Sequence, residues 1–264
     1  MYNTMEKKDS QDILYSVKNG MLKIVLNRPE KKNAITIPMY RELIEILHKS
    51  IQDNTVCMTV LTGAGDFFSS GNDFKLNLKH IGNDADGYEK PLNMYKDFVD
   101  ALITYPKLLV AIVNGPAIGI AVTILPLFDM VYASEQAYFR TPFTQLGIVA
   151  EGCSTYTFPK VFGKSKAGDM LYLGYKMGAF EAKQYRLISE MYKHENLHEV
   201  WSYLQKITAL SSEAVLAIKR LVKKWDQDIL LQINAEEAAE LLNRIQSSDF
   251  VERLTNIMLR KSKI

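Results

Sequence analysis

Short apolar runs alternate with longer stretches whose apolar residues recur every three or four positions, and this alternation organises the chain up to about residue 196. Runs near 13–17, 21–26, 57–62, 108–113, 129–133 and 188–192 are too short for helices and predict strands. The richest of them, CMTVLT at 57–62 and LLVAIV at 108–113, read as buried strands. Helical spacing is expected over 38–53, 91–104, 117–127, 154–161 and 165–174. From about 197 the strands stop, and helical patterns fill 197–209, 212–225, 228–246 and 249–260. Strands interleaved with helices argue for an α/β fold. Residues 77–90, rich in Gly, Asn and Asp, interrupt the pattern and are expected to form a mobile loop. Residues 1–12 are polar, mixed in charge and expected to be a disordered lead-in.

Chemistry enters with Glu151, the one acidic residue in FRTPFTQLGIVAEGCSTY, an otherwise apolar, small and hydroxyl-bearing stretch. A carboxyl isolated among apolar neighbours favours its neutral form, which brings its pKa toward the range where it can both take and return a proton. Two upstream turns have the composition to hold an oxyanion. One follows the 57–62 strand as Gly63-Ala64-Gly65 and Phe67-Phe68-Ser69-Ser70-Gly71-Asn72-Asp73. The other follows the 108–113 strand as Asn114-Gly115-Pro116-Ala117-Ile118-Gly119-Ile120. Glycine and proline at a strand-to-helix turn leave backbone N–H groups unpaired at the positive end of the helix dipole. Two such donors on one carbonyl oxygen would stabilise an enolate.

In order, the segments LNRPEKKNA at 26–34, FFSSGNDF at 67–74, AIVNGPAIG at 111–119, Asp129 with Ala133, Thr141-Pro142-Phe143 and Glu151-Gly152-Cys153-Ser154 resemble the crotonase superfamily of acyl-coenzyme A enzymes. The likeness spans roughly residues 13–260, and the pairing of Pro-Phe with Glu-Gly-Cys-Ser is similar to the peroxisomal Δ3,Δ2-enoyl-CoA isomerases. The resemblance implies a crotonase-like spiral of ββα turns over 13–196 and a C-terminal helical trimerisation region over 197–264, assembled as a homotrimer or hexamer. It also implies Glu151 as the catalytic base and the main-chain N–H groups of Asn72 and Ile120 as the oxyanion hole, their side chains being free to vary. Substrate or coenzyme A contacts are expected at Lys32, Ala34, Ser69, Ser70, Gly71, Asp73, Phe74, Gly119 and Phe143. The two glutamates with which the superfamily's hydratases hold water fall at Thr123 and Phe143, which disfavours hydration. The expected reaction is a 1,3-proton shift through a dienolate, in the oxidation of unsaturated fatty acids, with no metal and no cofactor beyond the coenzyme A of the substrate. The alternatives are an enoyl-CoA hydratase or other crotonase activity, and a non-catalytic acyl-CoA-binding module like that of the chromodomain-Y-like corepressors.

Composition narrows the rest. With 264 residues, 47% hydrophobic and 23% charged, the chain can bury a large core. A net charge of +2 gives no case for nucleic acid, and no apolar run is long enough to span a bilayer. Cys57 and Cys153 offer no disulfide framework and read as free thiols. The end, Ser262-Lys263-Ile264, approximates the Ser-Lys-Leu peroxisomal address. It implies an import receptor as partner and the peroxisomal matrix as location, or the cytoplasm if the final Ile weakens the signal. His194-Glu195-Asn196-Leu197-His198 fits the H-E-x-x-H zinc pattern, but His194 is expected in a turn, off the helix that starts at Leu197. Gly163-Lys164-Ser165 ends like a phosphate loop and is expected to open a helix instead.

Overall fold

The computed structural model describes residues 12–73 and 89–261. The lead-in at 1–11, most of the expected loop at 77–88, Phe74 and the Ser262-Lys263-Ile264 tail lie outside the described residues. Asp12, placed in the lead-in by the sequence, is anchored: its carbonyl accepts from Asn27 N at 2.7 Å.

Strand β1 (Ile13–Lys18) turns back through Asn19-Gly20 and pairs antiparallel with β2 (Met21–Leu26). β3 (Met58–Gly63), β4 (Leu108–Val113), β6 (Met130–Ser134) and β9 (Glu190–Tyr192) then add in parallel, giving the order β1-β2-β3-β4-β6-β9. The apolar runs of β3 and β4 are explained by cover on both faces. Leu61, Leu109, Ala111 and Val113 enter the main core, while Met58, Val60, Val110 and Ile112 enter a second cluster with Val200 and Leu204. The period-two alternation of a strand thus sorts consecutive residues between two apolar layers.

Helix α1 (Ile37–Gln52) starts where the Thr36 side chain accepts from Met39 N, and it buries Met39, Tyr40, Leu43, Ile46 and Leu47 at helical spacing. It packs against α2 (Glu89–Thr104), which runs in turn against a C-terminal helix, Gln227–Ile245. Leu241, Ile245 and Phe250 from the C-terminal region join the main core.

Between β4 and β6 the chain departs from the expected helix at 117–127. It forms strand β5 (Ala117–Ile118), the short helix α3 (Ile120–Thr123) and a 3-10 turn at Leu125–Leu127. Gly119, at φ 61° and ψ −128°, ends the strand, and Pro126 prevents a long helix from forming. β5, β7 (Tyr138–Arg140) and β8 (Met177–Gly178) make a second sheet of three strands, each too short to leave a periodic signal. Helices α4 (Phe143–Leu146) and α6 (Ala179–Gln184) also went unforeseen. The two helices expected at 154–161 and 165–174 form one, α5 (Ser154–Leu173), broken at Gly163 by a non-helical φ of 75° and ψ of 160°. The helices α7 (Leu197–Ile207), α8 (Ser212–Lys223), α9 (Gln227–Ile245) and α10 (Ser248–Lys261) follow the expected pattern.

Candidate active site

The site forms where three turns meet beyond the carboxyl ends of β3 and β4. The turn after β3 is held by two buried asparagines. Asn33 Nδ2 donates to Ala64 O at 2.9 Å and Phe67 O at 2.7 Å, and Asn114 Nδ2 donates to Gly65 O at 2.8 Å while its Oδ1 accepts from Gly63 N at 3.0 Å. These contacts explain why both asparagines belong to the quoted segments. The turn then meets the next one: Ser69 bridges to Ala117, and Ile118 N donates to Ser69 O at 3.0 Å. A Cβ on Gly71, whose φ is 82°, would lie 2.6 Å from Ile118 O, so this close approach admits only glycine. Asn72 and Ile120 are thereby brought to neighbouring loops. Ile120 is the first residue of α3, where an N–H has no intrahelical acceptor, and among the described residues neither its amide nor that of Asn72 meets one.

Glu151 arrives on the third turn. Gly152 has a φ of 69°, and a Cβ there would meet Thr123 Oγ1 at 2.6 Å, so the turn is pressed onto α3. Cys153 follows in the left-handed region at φ 64°, a conformation unfavourable for an L side chain. Ser154 Oγ closes the turn by donating to Glu151 O at 2.7 Å.

The Glu151 side chain is 2% exposed. Its direct partner is Asn72, whose Nδ2 stands 3.4 Å from Oε1 and 3.5 Å from Oε2. Tyr40, from α1, fixes that amide by donating to Asn72 Oδ1 at 2.5 Å. The Asn72 side chain, given no role by the sequence reading, thus stands beside the carboxyl. Burial pushes the Glu151 pKa up to about 8, with the charge of Glu237 acting the same way. Tyr95, whose buried hydroxyl has no hydrogen bond of ordinary geometry among the described residues, faces the carboxyl and pulls its pKa partly back down. Burial first and the Glu151 charge second raise both Tyr40 and Tyr95 well above the usual phenol value, so both remain neutral. A carboxyl loosely held, shielded and poised near neutral pH can exchange a proton with a carbon acid.

Glu237, from α9, is the second buried carboxyl. Its Oε2 accepts from Cys153 N at 2.7 Å, and its Oε1 accepts from Thr155 N at 2.9 Å and Thr155 Oγ1 at 2.6 Å. Nothing in the sequence marks it, because it lies over 80 positions from Glu151 and beside an exposed Glu236. Tyr40 and Tyr95 escaped notice for a similar reason, sitting at helical spacing as ordinary core residues.

The other expected residues divide between framework and surface. Ser69 Oγ donates to Asn33 O at 2.8 Å and accepts from Gly71 N at 3.1 Å, so it shapes the turn. Ser70 N donates to Lys32 O, Ala34 O accepts from Arg28 Nη1 at 2.7 Å, and Asp73 pairs with Arg28 at 3.1 Å. Lys32 is exposed with its Nζ 5.0 Å from the centre of the Phe67 ring. Gly119 N donates to Arg140 O at 2.9 Å. Phe143 is buried in the core, and Thr123 is buried with its hydroxyl on Ile120 O at 3.3 Å. Cys153 packs as a buried thiol on Leu230 O at 3.3 Å, its pKa pushed up by burial. His194 lies in a 3-10 turn beside Ser134, off α7, which carries His198.

Residues 16–257 match the family model described as enoyl-CoA hydratase/isomerase. The chain is 43% identical over 257 residues to enoyl-CoA delta isomerase 3, peroxisomal, of Mus musculus, covering 97% of this chain and 81% of that protein. It is 41% identical over 258 residues to enoyl-CoA delta isomerase 2 of Rattus norvegicus, of whose length it spans 66%, just under two thirds. A crystal structure of an enoyl-CoA hydratase/isomerase from Pseudoalteromonas atlantica T6c superposes with a TM-score of 0.86 at 29% identity, covering 94% of this chain and 97% of that one. With the fold and nearly the whole sequence in agreement, the chain belongs to the enoyl-CoA hydratase/isomerase family.

Proposed function

We propose that the protein is a Δ3,Δ2-enoyl-CoA isomerase. The observation that carries the reading is the Glu151 carboxyl, buried, held at long range by Asn72 and raised in pKa to about 8. In this reading Glu151 removes a C2 proton from a 3-enoyl-CoA thioester. The Asn72 and Ile120 amides hold the dienolate oxygen, and Glu151 returns the proton at C4. General acid-base catalysis contributes about 10²- to 10⁴-fold, and each oxyanion donor about 3 kcal/mol. The names of the mouse and rat relatives support the reaction class. Thr123 and Phe143, neither able to activate water, stand against hydration. Glu237 does not replace them, because both its oxygens are engaged by Cys153 and Thr155.

Around this centre, Lys32 and Ala34 meet the nucleotide of coenzyme A, Ser69, Ser70, Gly71, Asp73 and Gly119 line the substrate, and Phe143 borders the acyl chain. No cofactor is needed. The mouse relative's peroxisomal name and the Ser262-Lys263-Ile264 sequence favour the peroxisomal matrix, reached through an import receptor. Exposed Ile218, Leu221, Val222 and Trp225 on and just after α8 support a homotrimer or hexamer built through the 197–264 region. The test is to incubate the purified protein with a 3-enoyl-CoA and follow conjugated-thioester absorbance, with water addition to a 2-enoyl-CoA as the competing assay. Conversion of the first and not the second is expected, and the reverse result refutes the reading.

A further inference from the structure

We propose that Glu237, delivered from the C-terminal helical region, is a positioning residue for the base: it fixes the turn that carries Glu151 and occupies the helix N-terminus beside it. The inference rests on the reading of Glu151 as the base. Helix α5 begins three residues after Glu151, and its first amides and dipole attract a negative charge. Cys153, at the N-cap, makes no side-chain cap of its own. Glu237 takes that place from across the fold, receiving three donors on its two oxygens.

Two consequences follow. The turn needs left-handed backbone at both Gly152 and Cys153, and the bonds to Cys153 N and Thr155 hold it there. The charge that the helix terminus attracts is also already supplied. Burial raises the Glu237 pKa and the bonds from Thr155 and Cys153 draw it back down, whereas Glu151 has no such set of donors, so of the two it is Glu237 that takes the negative charge first and Glu151 that keeps the proton. The other groups around the pair are Tyr40 from α1, Tyr95 and Asp100 from α2, and Cys153 itself. Asp100 is held by Lys96 at 2.5 Å and by Asn234 at 2.8 Å. Without the Glu237 charge, Glu151 would become the anion nearest the α5 terminus and would ionise more readily.

The test is difference infrared titration of the intact protein, following the protonated-carboxyl band that Glu151→Gln removes. In Glu237→Gln this band is expected to titrate about one pH unit lower than in the wild type, and the pH at which isomerase activity rises should fall with it. Thr155→Val loosens the same turn but keeps the charge, so it is expected to lower Tm without lowering the midpoint. An unchanged midpoint in Glu237→Gln, or an equal fall in Thr155→Val, overturns the proposal. The band reads Glu151 without turnover, so loss of the isomerase reading and loss of this inference are told apart.

Discussion

Two ionisable groups are buried at opposite ends of this fold, and they are treated in opposite ways. At one end, Asp129 Oδ2 accepts from Leu109 N and from Lys219 Nζ, both at 2.7 Å, and Lys219, 5% exposed, also donates to Lys107 O. Lys107 completes the knot on Ser50 O at 2.5 Å and Asp53 O at 2.7 Å. At the other end, Glu151 has amide contacts only at 3.4 and 3.5 Å. The first arrangement satisfies its charges and ties α8 to the sheet. The second leaves a carboxyl with acceptor capacity to spare, and that spare capacity is what proton transfer requires. Burial alone does not separate them, since it shifts both Lys219 and Glu151 to about 8, from opposite sides. The quality of the hydrogen bonds does.

The comparison predicts that single substitutions at the two ends have different readouts. Glu151→Gln is expected to lower kcat by about 10²- to 10⁴-fold with the fold intact; near-normal turnover would erase the distinction. Asp129→Ala leaves Lys219 buried without its counter-charge and should destabilise the protein by about 3 kcal/mol or more, read by denaturant unfolding, while turnover of the folded fraction is unchanged. A stability change under about 1 kcal/mol would mean that the knot is ornamental. A third effect concerns pH. Glu151 has a folded pKa near 8, above its ordinary value of 4.5. Between those values the unfolded chain has released a proton that the folded chain keeps, so stability falls as pH rises through this window. Glu151→Gln has no such proton and should flatten that decline in Tm, and an unaltered slope would show that the carboxyl is not held neutral.

How much of this could be read from the sequence depends on whether the signal was local. The strand at 108–113 announces itself because a sheet covered on both faces demands an unbroken apolar run. Glu151 was visible by isolation, and the Asn114 segment by its company with glycine. β5, β7 and β8, two or three residues each, are set by tertiary pairing and carry no period of their own. The mistaken helix at 117–127 has the same origin, since its apolar residues are buried whichever way the chain turns. Tyr40, Tyr95 and Glu237 reach Glu151 from three distant helices, and only the folded chain shows that they meet.

The central claim is that a single sheltered carboxyl both takes and returns the proton. The direct measurement is single-turnover isomerisation of a 3-enoyl-CoA in deuterium oxide, with isotope content at C4 of the product read by mass spectrometry or NMR. With Glu151 shielded from water, substantial protium carried from C2 to C4 is expected at the earliest times. Complete deuteration of C4 in the first turnover would mean that a different, solvent-supplied acid delivers that proton, and would contradict the account.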